Sequence, residues 1–279
     1  MTPKPTHEQY QETVLNELGF ADLANAERAY QFNIRAAHQS VTSGKNFSGV
    51  VKKLIEIRSD YSKDKPDLLF YHPANPTDEL ELLSKPFTSV IEKLFRNNIV
   101  FNRNYPQPPR DGWTKPDELY ECIDDLLRTR IICKYMDGPK FVCEALDAYC
   151  KEQNIDAKFR ELSTEAGYYA WHFYFRSPVE LMTNNVVTNQ TMWVEIQVST
   201  QLAEVITTLT HGLYEQRRSG ESDTKSDKWK WDADSQHFRS AYIGHGLHLL
   251  EGIIQTFKDD MLSSPKNLAP DDIAEEGEK

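Results

Sequence analysis

Thr191-Met192-Trp193-Val194-Glu195-Ile196-Gln197-Val198 alternates with a period of two. Side chains along a strand point to opposite faces in turn. Met192, Val194, Ile196 and Val198 therefore share an apolar face, and Trp193, Glu195 and Gln197 share the other. A carboxylate in mid-strand between apolar neighbours is costly unless it is solvated, paired or bound to metal. A solvent-facing Glu195 is the plain alternative. Such a strand needs partners, and its surroundings supply them. Residues 80–83, 129–135, 157–162 and 168–175 also read as strands. Residues 87–97, 118–127, 140–152 and 200–215 read as helices. The pattern is α+β: a small mixed β-sheet with helices packed on it.

Outside this centre the chain reads as mostly helical. Residues 6–58 form helices punctuated by Gly19 and by Ser43-Gly44, and residues 235–262 form a long helix weakened by Gly244 and Gly246. Prolines mark loops at 59–80 and 105–116, and 216–235 is polar and expected to be mobile. From Pro265 the chain carries 5 acids and 2 lysines, the composition of a disordered tail. The expected organisation is a helical region at 1–60, a core at 61–220, a C-terminal helix at 221–264 and an acidic tail at 265–279.

Composition sets bounds. With 39% hydrophobic residues, the 279-residue chain can fill a sizeable core. No run of apolar residues is long enough to span a membrane, and Met1–His7 has no apolar signal region, so a cytoplasmic protein is expected. The net charge of −11 opposes polyanion binding except through a local basic patch. Cys122, Cys133, Cys143 and Cys150 form no CxxC pair and read as reduced, buried, small apolar residues.

Three segments carry chemistry beside Glu195. Ile123-Asp124-Asp125-Leu126-Leu127-Arg128-Thr129-Arg130-Ile131-Ile132-Cys133 puts acids where a helix meets an apolar strand. Gly167-Tyr168-Tyr169-Ala170-Trp171-His172 is a glycine turn into a strand, with Tyr168, Ala170 and His172 on one face. Ser89, Lys93 and Arg96 stand at i, i+4 and i+7 on one helix face, with Lys85 just before them. A solvated amphipathic face, a core tyrosine and a structural histidine are the plain alternatives for these. Asp124 reads as a surface acid at a helix end.

Taken together and in order, these motifs resemble the synthetase domain of the RelA/SpoT family. The matching segments are Lys85-x-x-x-Ser89-x-x-x-Lys93, Asp125-Leu126-x-x-x-Arg130-Ile131, Gly167-Tyr168-x-x-x-His172, Glu195-Ile196-Gln197-Val198-x-Thr200 and His211-x-x-Tyr214, spanning about 80 to 215. The resemblance implies a nucleotidyltransferase-like mixed sheet flanked by helices. It implies transfer of the β,γ-pyrophosphate of ATP to a ribose 3′-hydroxyl, as in ppGpp and pppGpp synthesis from GDP and GTP. Asp125 and Glu195 would be catalytic and hold Mg²⁺. Lys85, Ser89, Lys93, Arg96 and Arg130 would bind ATP. Tyr168, His172, Gln197 and His211 would bind the acceptor.

The sequence departs from the family around the Gly-Tyr turn. Family members that use guanine nucleotides carry Lys or Arg there, whereas Leu162-Ser163-Thr164-Glu165-Ala166-Gly167-Tyr168-Tyr169 has none. The departure points toward the toxic small alarmone synthetases, which pyrophosphorylate the 3′-CCA end of tRNA or make adenosine alarmones. A toxin of that kind implies an antitoxin protein or a separate hydrolase as partner. Lys52-Lys53, Arg217-Arg218 and Lys228-Trp229-Lys230-Trp231 are the basic patches that would meet tRNA. Leu83-Ser84 stands where the family often places an adenine-stacking arginine, a role Arg128 or Arg130 would have to take over. The chain has no His-Asp dipeptide and no room for the family's hydrolase domain, so a synthetase-only protein is expected. A non-catalytic nucleotide-binding protein is the competing class, and the helices at 1–58 and 235–262 are available for homo-oligomerisation.

Overall fold

A computed structural model describes the backbone of residues 3–64, 70–71, 80–183, 186–218 and 227–263, and their side chains apart from 60–64, 70–71, 183, 210–218, 227–228 and 262. Three helices come first: α1 (His7–Glu17), α2 (Leu23–Ser43) and α3 (Lys45–Asp64). Thr6 and Gln9 close a reciprocal capping box on α1, satisfying amide groups that a helix start leaves open. Asp22 caps α2 by accepting from the Asn25 amide at 2.8 Å. Ala26, Tyr30, Ile34, Ala37 and Val41 then form the buried stripe of α2, at the spacing of a single helix face.

Strands β1 (Phe70–Tyr71) and β2 (Leu83–Ser84) are short, and α4 (Phe87–Phe95) follows, continued by a π-helical turn at Arg96–Val100. Next come α5 (Leu119–Cys122), β3 (Leu127–Cys133), α6 (Asp137–Glu152), β4 (Ala157–Ser163), β5 (Tyr169–Thr183), β6 (Val186–Thr200), α7 (Gln201–Arg218) and α8 (Gln236–Ser263). The strand order is β1-β3-β6-β5-β4, with β2 also paired to β3. Only β3 and β6 run parallel among the described strands; the other pairs are antiparallel. The α+β reading holds, with β6 and β5 central and a mixed sheet flanked by helices.

Two expectations need correction. The helix expected over 118–127 stops at Cys122, and the chain turns at Asp124-Asp125. Leu127 already pairs with Ser84 on one side and Val194 on the other, so sheet pairing overrides the helical leaning of the Leu126-Leu127 pair. Strands β5 and β6 are also longer than their alternation suggested, because α2 supports the outer half of the hairpin. Asn33 on α2 donates to Met182 O at 3.0 Å and accepts from Met182 N at 2.8 Å.

The core runs through the whole assembly. Met192, Val194, Ile196 and Val198 pack in one continuous apolar cluster with Val14 of α1, Ile34 of α2, Leu94 of α4 and Leu146 of α6. Cys133, Cys143 and Cys150 are buried in it as expected, whereas Cys122 is exposed; all four are free thiols. No helix among the described residues is long and apolar enough to cross a membrane.

Candidate active site

The other face of the sheet carries charge. Pairing across the sheet gives one row Arg128–Glu195–Tyr174–Lys158 and, two residues on, a second row Arg130–Gln197–His172–Arg160. A two-residue step keeps both rows on one face. Glu195 is only 3% exposed at the floor of this face. His172 Nδ1 lies 2.6 Å from Glu195 Oε1, and the Gln197 amide donates to Oε2 at 2.9 Å. An ionised carboxylate only accepts, so His172 carries its proton on Nδ1 here. His172 Nε2 lies within hydrogen-bond distance of the Tyr168 hydroxyl, at 3.0 Å. A chain Tyr168–His172–Glu195 results.

The Asp124-Asp125 turn and α4 stand over this floor. Lys85 Nζ donates to Asp125 Oδ2 at 2.8 Å, and Lys93 Nζ donates to Asp125 Oδ1 and Asp124 Oδ1 at 2.8 Å each. Asp124 Oδ2 in turn lies 3.8 Å from the Arg160 guanidinium and 3.9 Å from Lys158 Nζ. Burial alone would raise the Asp125 pKa, but Lys93 and Lys85 outweigh it and hold the carboxyl well below the usual carboxylate range. For Lys85, 3% exposed, burial wins over Asp125 and lowers the ammonium pKa. Lys93 loses to burial less than it gains from its two carboxylates, so its pKa rises.

The predicted residues fall into three groups. Lys85, Lys93 and Asp125 meet directly, as do Tyr168, His172, Gln197 and Glu195. Ser89 on α4 and Arg96 at the start of the π-helical turn are half-buried, with Arg96 4.0 Å from Glu92, and Arg130 on β3 is paired with Glu204 of α7 at 2.6 Å. The side chain of His211 on α7 lies outside the described residues, as do those of Tyr214, Arg217, Arg218 and Lys228. Among the described residues no group of three or more His, Cys, Asp or Glu side chains stands close enough to hold a metal.

Sequence reasoning missed Lys158, Arg160 and Tyr174. Arg160 donates to the Tyr174 hydroxyl at 2.9 Å, and Lys158 lies over the Trp193 ring at 4.3 Å. Their signal was the i, i+2 spacing of two bases in a run already read as a strand. These bases place, from β4, cations on the same sheet face as His172 and Glu195, where the Gly-Tyr turn supplies none. Asp124 is no surface acid; half-buried, it faces Lys93, Lys158 and Arg160 because the chain turns there instead of continuing a helix. Of the basic patches, Trp229 stacks on His237 with ring centroids 3.7 Å apart, and Lys230 reaches Glu165 at 3.3 Å, so both fold onto the body. Trp231 is 93% exposed. Lys53 lies 3.6 Å from Glu56 on its own helix.

The glycine turn is fixed by close packing. Gly167 has a positive φ of 77°, and a Cβ there would collide with the Ala241 carbonyl of α8. Gly244 is pressed against Gly167 in the same way. Glycine on both sides lets α8 pin the turn that presents Tyr168.

No protein-family model and no curated protein matches the chain. Solved structures share its fold. The small alarmone synthetase 1 from Bacillus subtilis superposes with a TM-score of 0.52 at 19% identity, covering 85% of this chain and 100% of that one. A GTP pyrophosphokinase family protein from Streptococcus pneumoniae superposes with a TM-score of 0.50 at 20% identity, covering 82% of this chain and 92% of that one. The chain thus has the fold of small alarmone synthetases, as its ordered motifs led one to expect.

Proposed function

We propose that this protein is a pyrophosphotransferase that moves the β,γ-pyrophosphate of ATP to the 3′-hydroxyl of a guanine nucleotide. One observation carries the reading: a chain with a net charge of −11 gathers Lys85, Lys93, Lys158 and Arg160 around Asp124, Asp125 and Glu195 on a single sheet face. Cations and carboxylates concentrated together suit a polyphosphate whose charge has to be balanced during transfer.

The two carboxylates fit Mg²⁺ by donor chemistry. Mg²⁺ takes one or two protein carboxylates and fills its shell with water and substrate phosphate oxygens. Asp125, kept ionised by its lysines, and Glu195 on the neighbouring strand are such hard-oxygen donors. When bound, the ion supplies charge neutralisation at the phosphates. The lysines then turn from Asp125 to the ATP phosphates. Glu195 accepts the proton of the attacking hydroxyl, oriented by His172 and Gln197. The 3′-oxygen bonds to the β-phosphorus, the bond from that phosphorus to the α,β-bridging oxygen breaks, and AMP leaves. Tyr168 stacks on the acceptor base, and Arg160 with Lys158 meets the acceptor phosphates.

The test is a transfer assay with ATP labelled at the γ-phosphate, offering GDP, GTP, AMP, ADP and, separately, bulk tRNA. Label in a guanosine tetra- or pentaphosphate, absent with Glu195→Gln, is the expected result. Label in tRNA alone would replace the acceptor reading with that of a translation-blocking toxin. Saturable ATP binding with no transfer to any acceptor would overturn the catalytic reading.

A further inference from the structure

Beyond the carboxyl end of β6, where α6, α8 and the β4–β5 hairpin meet, the chain lines an open pocket of about 440 Å³. That is the size range of pockets that take small organic ligands. None of its lining belongs to the cluster around Glu195, and the inference does not depend on the proposed reaction.

Three observations define what fits there. The first is an orphaned donor–acceptor: Ser199 is 7% exposed, faces the cavity, and its hydroxyl has no hydrogen-bond partner among the described residues. A buried hydroxyl without a partner is unfavourable, so this wall offers a hydrogen-bonding group to a polar ligand. The second is charge. Asp137, Glu144, Glu161 and Glu251 line the cavity against a single lysine, Lys140. Lys258 answers Asp137 at 2.9 Å and Lys140 answers Glu144 at 3.8 Å; Glu161 stands exposed on β4, and Glu251 is held inside by hydrogen bonds with Thr200, His248 and the Ala203 backbone. Glu251 is 7% exposed, and its carboxyl stands 3.7 Å from His248. The third is aromatic surface. Trp171 and Phe141 contribute faces to the wall, and Tyr169 is stacked on His248 with centroids 3.6 Å apart.

We propose that this cavity is a binding site for a small organic cation, an alkylammonium or guanidinium compound. Its charged head would lie between Glu161 and Glu251 and donate to Ser199, and its apolar stem would cover the aromatic wall, where ring faces attract cations. Nucleotides and other anions are repelled by the same lining.

Isothermal titration calorimetry of the full chain with spermidine and with agmatine, at physiological salt, tests this. Saturable one-to-one binding of at least one amine is expected. Glu161→Lys, at an exposed strand position, should weaken it at least tenfold, and Phe141→Ala should weaken it severalfold. Glu12→Lys reverses an exposed charge on α1 and should leave it unchanged. No saturable heat with either amine would overturn the site. So would binding that Glu12→Lys weakens as much as Glu161→Lys, because that is diffuse attraction to an acidic chain. Circular dichroism of each variant confirms that it has folded.

Discussion

Met192, Val194, Ile196 and Val198 on one face of β6 are fully buried, and Glu195 on the other face is almost as buried at 3%. The two faces reach the same burial by different means. The apolar face is held by contact with helices on either side of the chain and needs no particular partner. The polar face is held pairwise, each group answered by a named one: Glu195 by His172 and Gln197, Asp125 by Lys85 and Lys93. Apolar burial is non-directional and tolerates change of shape within limits, whereas a buried polar network depends on every member. Stability should therefore reside mainly in the first face and chemistry in the second, and substitutions on each should separate the two.

The largest effect expected is on the polar face. Glu195→Gln keeps the volume and keeps a hydrogen-bonding group against His172, but it removes the carboxylate proposed to act as base. The rate of pyrophosphate transfer should fall by about 10²–10⁴-fold, with the thermal transition nearly unmoved. A variant that retains its rate would show that the carboxylate is there for the fold.

On the apolar face the converse should hold. Ile196→Ala, one residue away but fully buried in the core, should cost about 2–5 kcal/mol in urea unfolding. Activity per folded molecule should stay within a few-fold of the parent. A large loss of rate at full folding would mean that the core face also positions the site.

The difference between the faces also explains what could be read in the sequence. Period-two alternation was enough to place Met192, Val194, Ile196 and Val198 in a core, because burial depends on the side chain's own chemistry. The same alternation put Glu195 and Gln197 together, and motif order added Asp125, Lys85 and Lys93. Lys158, Arg160 and Asp124 escaped because their roles depend on register: Arg160 matters because it pairs with His172, and Asp124 because the chain turns after Cys122. Cross-strand register is decided by long-range pairing, of which a single strand keeps no record. The end of the expected helix at 118–127 was missed for the same reason, since Leu127 is captured by two strands distant in sequence.

A smaller effect tests the pairing of Asp125. Its folded pKa is depressed, so the stability it contributes is present above the unfolded value near 3.9 and is lost as the pH falls through that value toward the folded one. Asp125→Asn leaves Lys85 buried without its counter-charge and should be less stable than the parent at pH 7. The gap between the two proteins, followed by urea unfolding, should hold constant down to about pH 4 and narrow steadily as the pH is lowered further. A gap independent of pH would mean that the amide's shape, not the missing charge, is at fault.

The smallest effect belongs to Arg160. Its side chain is about half exposed, and its approach to Asp124 at 3.8 Å is a loose, screened pair. Exposed pairs of this kind are worth about 0–1 kcal/mol, so Arg160→Gln should scarcely change the unfolding midpoint. If its guanidinium meets the acceptor phosphates, its loss falls on acceptor binding: KM for the guanine nucleotide should rise by about tenfold, with kcat and the KM for ATP little altered. Salt should raise the parent's acceptor KM more steeply than the variant's, because one screened contact is gone. Equal loss of kcat and of kcat/KM would instead tie Arg160 to the transition state through Tyr174 and Asp124, and the polar face would then act as one unit from β4 to α4.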